Sequence, residues 1–324
     1  IPAMTAAIPS CAPALLAAAS LPRPPQAAAR SLAAALLAEG VELVDAGADV
    51  DFEDWVEDAL RTLHLRRAAR ERGLVVLPTL PASGCAIDCR THAPRRERLV
   101  RAPDVRVVRA PDIIDYAASP AFLANAARRV LRCRNDEDGD PALPSLSDGL
   151  AQLRAEGFGD VVWKQTSGAP KSYPLAIIPA GAGIDADIGL AAVHMGGSSL
   201  LQERVDMTDK TRFFVVDGAV VSGAPCVYEH TPLDRDALAR HGALASDSPY
   251  APALAERARD IAEALAAEGV RDCVLDLYRN AATGEIGVVE LNPINASGLY
   301  ANDPAAIFPA LVDSLLKQAV APDA

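Results

Sequence analysis

The chain has 324 residues and a net charge of −12. That is room for two or three lobes, without the clustered Lys and Arg that a phosphate backbone requires, which argues against nucleic acid as a partner. Half of the residues are hydrophobic but only 4% are aromatic, so burial must come from Ala, Val, Leu and Ile on helices and sheets. No run approaches the roughly eighteen apolar residues of a membrane helix, and six cysteines without CxxC or Cys/His spacing point to reduced thiols in a cytoplasmic protein with no membrane association.

Pro22, Pro24 and Pro25 mark a linker into an Ala/Leu helix over 30–39, closed by Gly40. Trp55, Val56, Leu60 and Leu63 at helical spacing predict a second helix over 51–72, ended by Gly73 before a strand at 74–77. Helix followed by strand points to an α/β lobe, bounded here as residues 1–118. Residues 78–98 lack periodicity and read as a long loop; Cys85 and Cys89 within it have no zinc spacing, and Arg95, Arg96 and Arg98 read as a solvated face.

Residues 120–133 read as a basic amphipathic helix, 135–140 as an acidic break, and a further helix leads into a strand at 161–164. Residues 167–174 and 179–189, rich in Gly, Ala and Pro, read as mobile loops. Gly181, Gly183 and Ala186 make a GxGxxA match after a short apolar run. Pro179 spoils the strand-to-turn geometry, and Asp185 and Asp187 stand where a pyrophosphate would meet the helix dipole, so a dinucleotide site is not expected there. Asp217-Gly218 between apolar runs 212–216 and 219–221 is a hairpin signature. A helix over 254–268 with Gly269 at its end precedes strands at 273–278 and 286–291, joined by a turn at 280–285.

That second hairpin carries the chemistry. It sets Asp276 and Glu290 on adjacent antiparallel strands, with Asn292 two residues beyond Glu290 on the same face. Two carboxylates directed into an apolar sheet repel each other and are costly to desolvate unless a hard cation such as magnesium lies between them, and magnesium usually brings nucleotide phosphates. No GxxxxGK[ST], GxSxG or HExxH pattern offers a rival chemistry, and His194 and His230 have no metal spacing.

The run Val288-Val289-Glu290-Leu291-Asn292-Pro293, the following Asn295 to Tyr300, and the earlier Glu203-Arg204-Val205 and Arg212 to Gly218 together resemble the ATP-grasp superfamily, and within it a clade of compact members. The resemblance implies an α/β (α+β) fold in which two α+β lobes, 119–200 and 201–324, clasp ATP behind the N-terminal lobe. It implies ATP and Mg2+ as cofactors, with Lys164 and Lys171 on the phosphates and Gln202, Glu203, Arg204 and Val205 on adenine. Asp206 or Asp209 would take the ribose and Arg212 the transferred phosphoryl, with Asp276, Glu290 and Asn292 on magnesium. Arg279, Asn295 and Ser297 are the expected acyl-substrate contacts. The implied reaction joins a small-molecule carboxylate to an amine through an acyl phosphate, releasing ADP and phosphate; a small-molecule kinase and a catalytically weak nucleotide-binding regulator are the alternatives, and a homodimer is left open. Two departures stand out: no Lys precedes the Lys164 strand, so Arg128, Arg129 or Arg132 has to serve, and Thr211 stands where an acid is expected.

Overall fold

The computed structural model describes residues 32, 34–39, 52–76, 84–88, 105–109, 116–166, 175–225, 251–294, 297–300 and 302–320. Contacts divide these into two compact units, one holding the described residues up to 109 together with 298–320, the other holding 116–225 and 251–297. The C-terminal segment thus groups with the N-terminal residues, unlike the expected boundary near 118.

In the first unit, helix α1 (Phe52–Glu71) leads into β1 (Val75–Val76), which pairs in parallel with β2 (Gly84–Asp88), itself parallel to β3 (Val105–Arg109). Gly73 ends α1 because its φ of +69° lets Leu74 N–H turn back to the Ala69 carbonyl at 2.9 Å. A C-terminal helix, Pro304–Val320, packs on α1; Arg72 holds Asp313 with two hydrogen bonds, at 2.5 and 2.8 Å. Cys89 and the side chain of Cys85 lie outside the described residues, as does the arginine run 95–98.

The second unit carries two antiparallel sheets. Helix α2 (Pro120–Ala124) starts with Pro120 directly after the capping Ser119 and stops at Asn125. The expected helix over 120–133 is therefore corrected: after Ala127, at φ +49°, the chain becomes β4 (Val130–Arg134). The arginines at 128, 129 and 132 mimic a helical stripe, but 130–134 alternates faces and pairs with a later strand, and that pairing overrides the local signal. Helix α3 (Leu146–Ala155), β5 (Val161–Gln165), β6 (Ala176–Ile178), α4 (Ala186–Met195) and β7 (Ser198–Glu203) complete a sheet of order β4-β7-β5-β6. Residues 186–189, expected in a loop, form the first turn of α4. Asp185 caps it by accepting from Ile188 N–H at 2.8 Å, and Asp187 adds favourable charge at the dipole's positive end. Residues 167–174 lie outside the described residues.

Strands β8 (Met207–Val216) and β9 (Ala219–Pro225) form the expected hairpin; Asp217 and Gly218 both have positive φ, 51° and 78°, as a type I′ turn requires. Helix α5 (Ala251–Ala267) precedes β10 (Cys273–Asn280) and β11 (Ile286–Asn292), giving the sheet order β11-β10-β8-β9. Leu254, Ala258, Ile261, Ala262 and Leu265, a helical stripe on α5, bury against Phe213, Val215, Cys273, Leu275 and Leu291. In the other sheet, α3 and α4 cover the face bearing Cys133, Leu201, Val161 and Trp163. No helix among the described residues is long and apolar enough to cross a membrane.

Burial pushes the thiols of Cys133 and Cys273 up to about 12, so neither ionises at neutral pH. Iodoacetamide at pH 8 should label both only after denaturation; labelling of the native protein would show that these strands open.

Candidate functional site

Directly opposed residues in an antiparallel sheet share a face. The register Arg212↔Asp276↔Glu290 therefore lines three charged side chains across β8, β10 and β11, and Asn292 follows two residues on. All four are at most 9% exposed. Arg212 donates from Nε and Nη2 to the two Asp276 carboxylate oxygens at 2.8 and 2.7 Å, a bidentate pair. Asn292 Nδ2 reaches Glu290 Oε1 at 3.0 Å and Asp276 Oδ2 at 3.3 Å. Lys164, at the end of β5, donates to Glu290 Oε2. Two acids and two cations thus form one nearly dry network of matched charge, which is what allows the acids to be buried.

Among the described residues no group of three or more His, Cys, Asp or Glu could hold a metal ion. A cation at Asp276 and Glu290 would thus have two carboxylates and, at most, one amide oxygen from the protein. Magnesium accepts such a sparse hard-oxygen set when phosphates and water complete its octahedron, so the residues fit it. Asn292 currently turns its nitrogen to both carboxylates, so ligation through its oxygen requires the amide to flip.

The sheet with Lys164 has one face free of α3 and α4. Register places Val130, Arg132 and Arg134 of β4 on it, with Ser198, Leu200 and Gln202 of β7 and Val162 and Lys164 of β5. Arg132 and Lys164 both oppose Leu200, flanking it. Of the three upstream arginines, Arg129 is engaged with Glu156 at 2.7 and 2.9 Å and holds that carboxyl down to about 2. Arg128 spends its five N–H donors on Gln202 Oε1 (3.1 and 2.8 Å), Ala126 O (3.0 Å), Val288 O (2.6 Å) and Val289 O (3.2 Å). Arg132 lies in the Lys164 row, and its Nε donates to Ser198 Oγ at 3.1 Å.

The other sequence-derived candidates are scattered. Glu203 points to the opposite face and accepts from Arg129 N–H at 3.1 Å, while Arg204 pairs with Asp160 at 2.7 Å in solvent. Val205 is half-buried and Asp206 exposed, its carbonyl accepting from Ala281 N–H at 3.0 Å. Asp209, at φ +49°, is 3.5 Å from Arg279, which also donates to Gly284 O at 2.7 Å; neither partner belongs to the Asp276 network. Ser297 is buried and donates to Pro293 O at 2.7 Å. Lys171 and Asn295 lie outside the described residues. Sequence reasoning did not anticipate the Arg128 brace or its partner Tyr278, whose ring lies 5.3 Å below the guanidinium; no local spacing signals either.

Residues 188–311 match an ATP-grasp domain family, the third family of one clade within that superfamily, over a span that includes Arg212, Asp276, Glu290 and Asn292. No curated protein matches. Among solved structures, the chain is similar to a RimK domain protein ATP-grasp from Sphaerobacter thermophilus DSM 20745, at 17% identity over 79% of this chain and 95% of that one, with a TM-score of 0.46. It is also similar to the ATP-grasp ligase PsnB complexed with minimal precursor, Mg and ADP, at 17% identity over 66% and 64% with a TM-score of 0.39. A third likeness is to D-alanine–D-alanine ligase from Bacillus anthracis, at 12% identity over 65% and 70% with a TM-score of 0.39. The ATP-grasp resemblance read from the sequence is borne out, and so is the mixed α+β class with two antiparallel sheets.

Proposed function

We propose, from the ATP-grasp match over residues 188–311, that this protein is an ATP- and magnesium-dependent ligase joining a carboxylate to an amine in the cytoplasm. The observation that carries the proposal is the buried network of Lys164, Glu290, Asp276, Arg212 and Asn292, which offers both acids for a cation and both cations for phosphate. Magnesium held by Asp276, Glu290 and Asn292 would neutralise phosphoryl charge as it develops. Lys164 would exchange Glu290 for a phosphate oxygen when nucleotide arrives, and Arg132, across Leu200, would be the second phosphate cation. Arg212 would stabilise the transferred phosphoryl from the other sheet. The segment Gln202 to Val205 would bound the adenine and Asp206 or Asp209 the ribose, with Lys171 a further phosphate contact; Ser297, Asn295 and Arg279 are proposed for the acyl substrate.

In the reaction, a substrate carboxylate oxygen bonds to the terminal phosphorus of ATP as the bond to ADP breaks. An amine then adds to the acyl carbon and phosphate leaves. Hydroxylamine offered with ATP, magnesium and a panel of amino acids and short peptides should trap the acyl phosphate as a hydroxamate, with ADP and phosphate as co-products. AMP with pyrophosphate would overturn the route.

Lys164→Ala should weaken ATP use by about tenfold or more, the usual worth of a charge-assisted contact. Arg132→Ala should raise the KM for ATP comparably, whereas Arg129→Ala, whose guanidinium is engaged with Glu156, should leave it unchanged. An unchanged KM in Arg132→Ala would remove that residue from the phosphate site.

A further inference from the structure

A glutamine side chain ends in one acceptor and one donor, and its neighbours decide which end is presented. Gln202 has no such freedom. Its Oε1 accepts from both Nε and Nη2 of Arg128, at 3.1 and 2.8 Å. A guanidinium has no acceptor, so flipping the amide would set donors against donors. Arg128 is itself immobilised by the carbonyls of Ala126, Val288 and Val289 and by the ring of Tyr278.

The amide nitrogen of Gln202 is therefore fixed as a donor, in a residue only 5% exposed, and it has no hydrogen-bond partner among the described residues. An amide donor kept from water without an acceptor is unfavourable, so the position asks for one. Gln202 lies on the same face of β7 as Leu200, one step of the pleat from the row of Lys164 and Arg132, about 7 Å along the strand. That is roughly the offset between the base and the phosphates of a nucleotide that has its phosphates at Lys164.

We infer that Gln202, held by Arg128, is the residue that selects the nucleotide base, donating from Nε2 to a ring nitrogen of the purine. This rests on the nucleotide reading of the Lys164 row. Arg128 is a positioning residue: it touches no ligand and acts by denying Gln202 its acceptor end.

The test uses the whole chain with magnesium and compares, by calorimetry, ATP with 1-deaza-ATP, 3-deaza-ATP and 7-deaza-ATP, each lacking one acceptor nitrogen. At least one analogue should bind about tenfold more weakly than ATP. Gln202→Glu preserves both bonds from Arg128 but offers an acceptor in place of the donor, so in that variant the deficit should disappear. In Arg128→Met, where the amide is released, the deficit should shrink. If ATP binds but no analogue is disfavoured, or the deficit survives intact in Gln202→Glu, the inference falls and the nucleotide site stands. A deficit undiminished in Arg128→Met would overturn the role of Arg128. Failure of the wild-type protein to bind ATP would sink both readings.

Discussion

Glu290→Gln should lower turnover by about two orders of magnitude while ATP binding survives in part, because the substitution keeps shape and removes one charge from the proposed metal site. Glu290 serves both Lys164 and Asn292, so its loss also leaves the Lys164 ammonium without its carboxylate in a site where that lysine is only 11% exposed. Breaking a buried pair in this way costs about 3 to 5 kcal/mol when nothing relaxes. Thermal unfolding must therefore be measured beside kcat, and nucleotide should recover much of any lost stability by giving Lys164 a phosphate. Asp276→Asn should behave alike, and the double variant should be little worse than either single one, since both residues act through one cation. Full activity of Glu290→Gln would remove the metal site from the proposal.

The local half of that site was legible in the sequence. Alternation and the turn at 280–285 suffice to place Asp276 opposite Glu290 and Asn292 beyond it, because the period of two in a strand leaves no other face. The Asp217-Gly218 turn was legible for a similar reason: two successive positive φ values demand those residue types. The partners of the acids were not. Lys164 lies 126 residues from Glu290 in sequence, and nothing in the spacing of either strand says that they meet. The stretch 120–133 failed in the opposite sense. Its arginines satisfied a helical period, but five residues of alternation at 130–134 and a strand to pair with decided the outcome, placing Arg132 on the same face as Lys164.

Gly287→Ala should be among the most disruptive single-methyl changes in the second unit. A Cβ at this position would stand 2.3 Å from the Ala126 carbonyl oxygen, 2.6 Å from Ala127 Cβ and 2.8 Å from the Ala126 carbonyl carbon, so backbone rather than a flexible side chain has to yield. That backbone is held from several sides. Val288 N–H donates to Asn125 O at 2.8 Å, the Tyr278 hydroxyl lies 2.9 Å from Ala126 O and 3.1 Å from Ala127 O, and Arg128 donates to Ala126 O. Overpacking against such a segment costs about 1 to 3 kcal/mol or more, which denaturant unfolding will register. The same displacement moves Arg128, and with it Gln202, so the KM for ATP should rise more than kcat falls. Tyr278→Phe supplies the comparison: it removes the hydroxyl contacts but leaves the ring under Arg128, and should cost about 1 kcal/mol with a smaller change in KM. If Gly287→Ala unfolds at the wild-type denaturant concentration and keeps the wild-type KM, the segment before β4 gives way freely and cannot be what fixes Arg128.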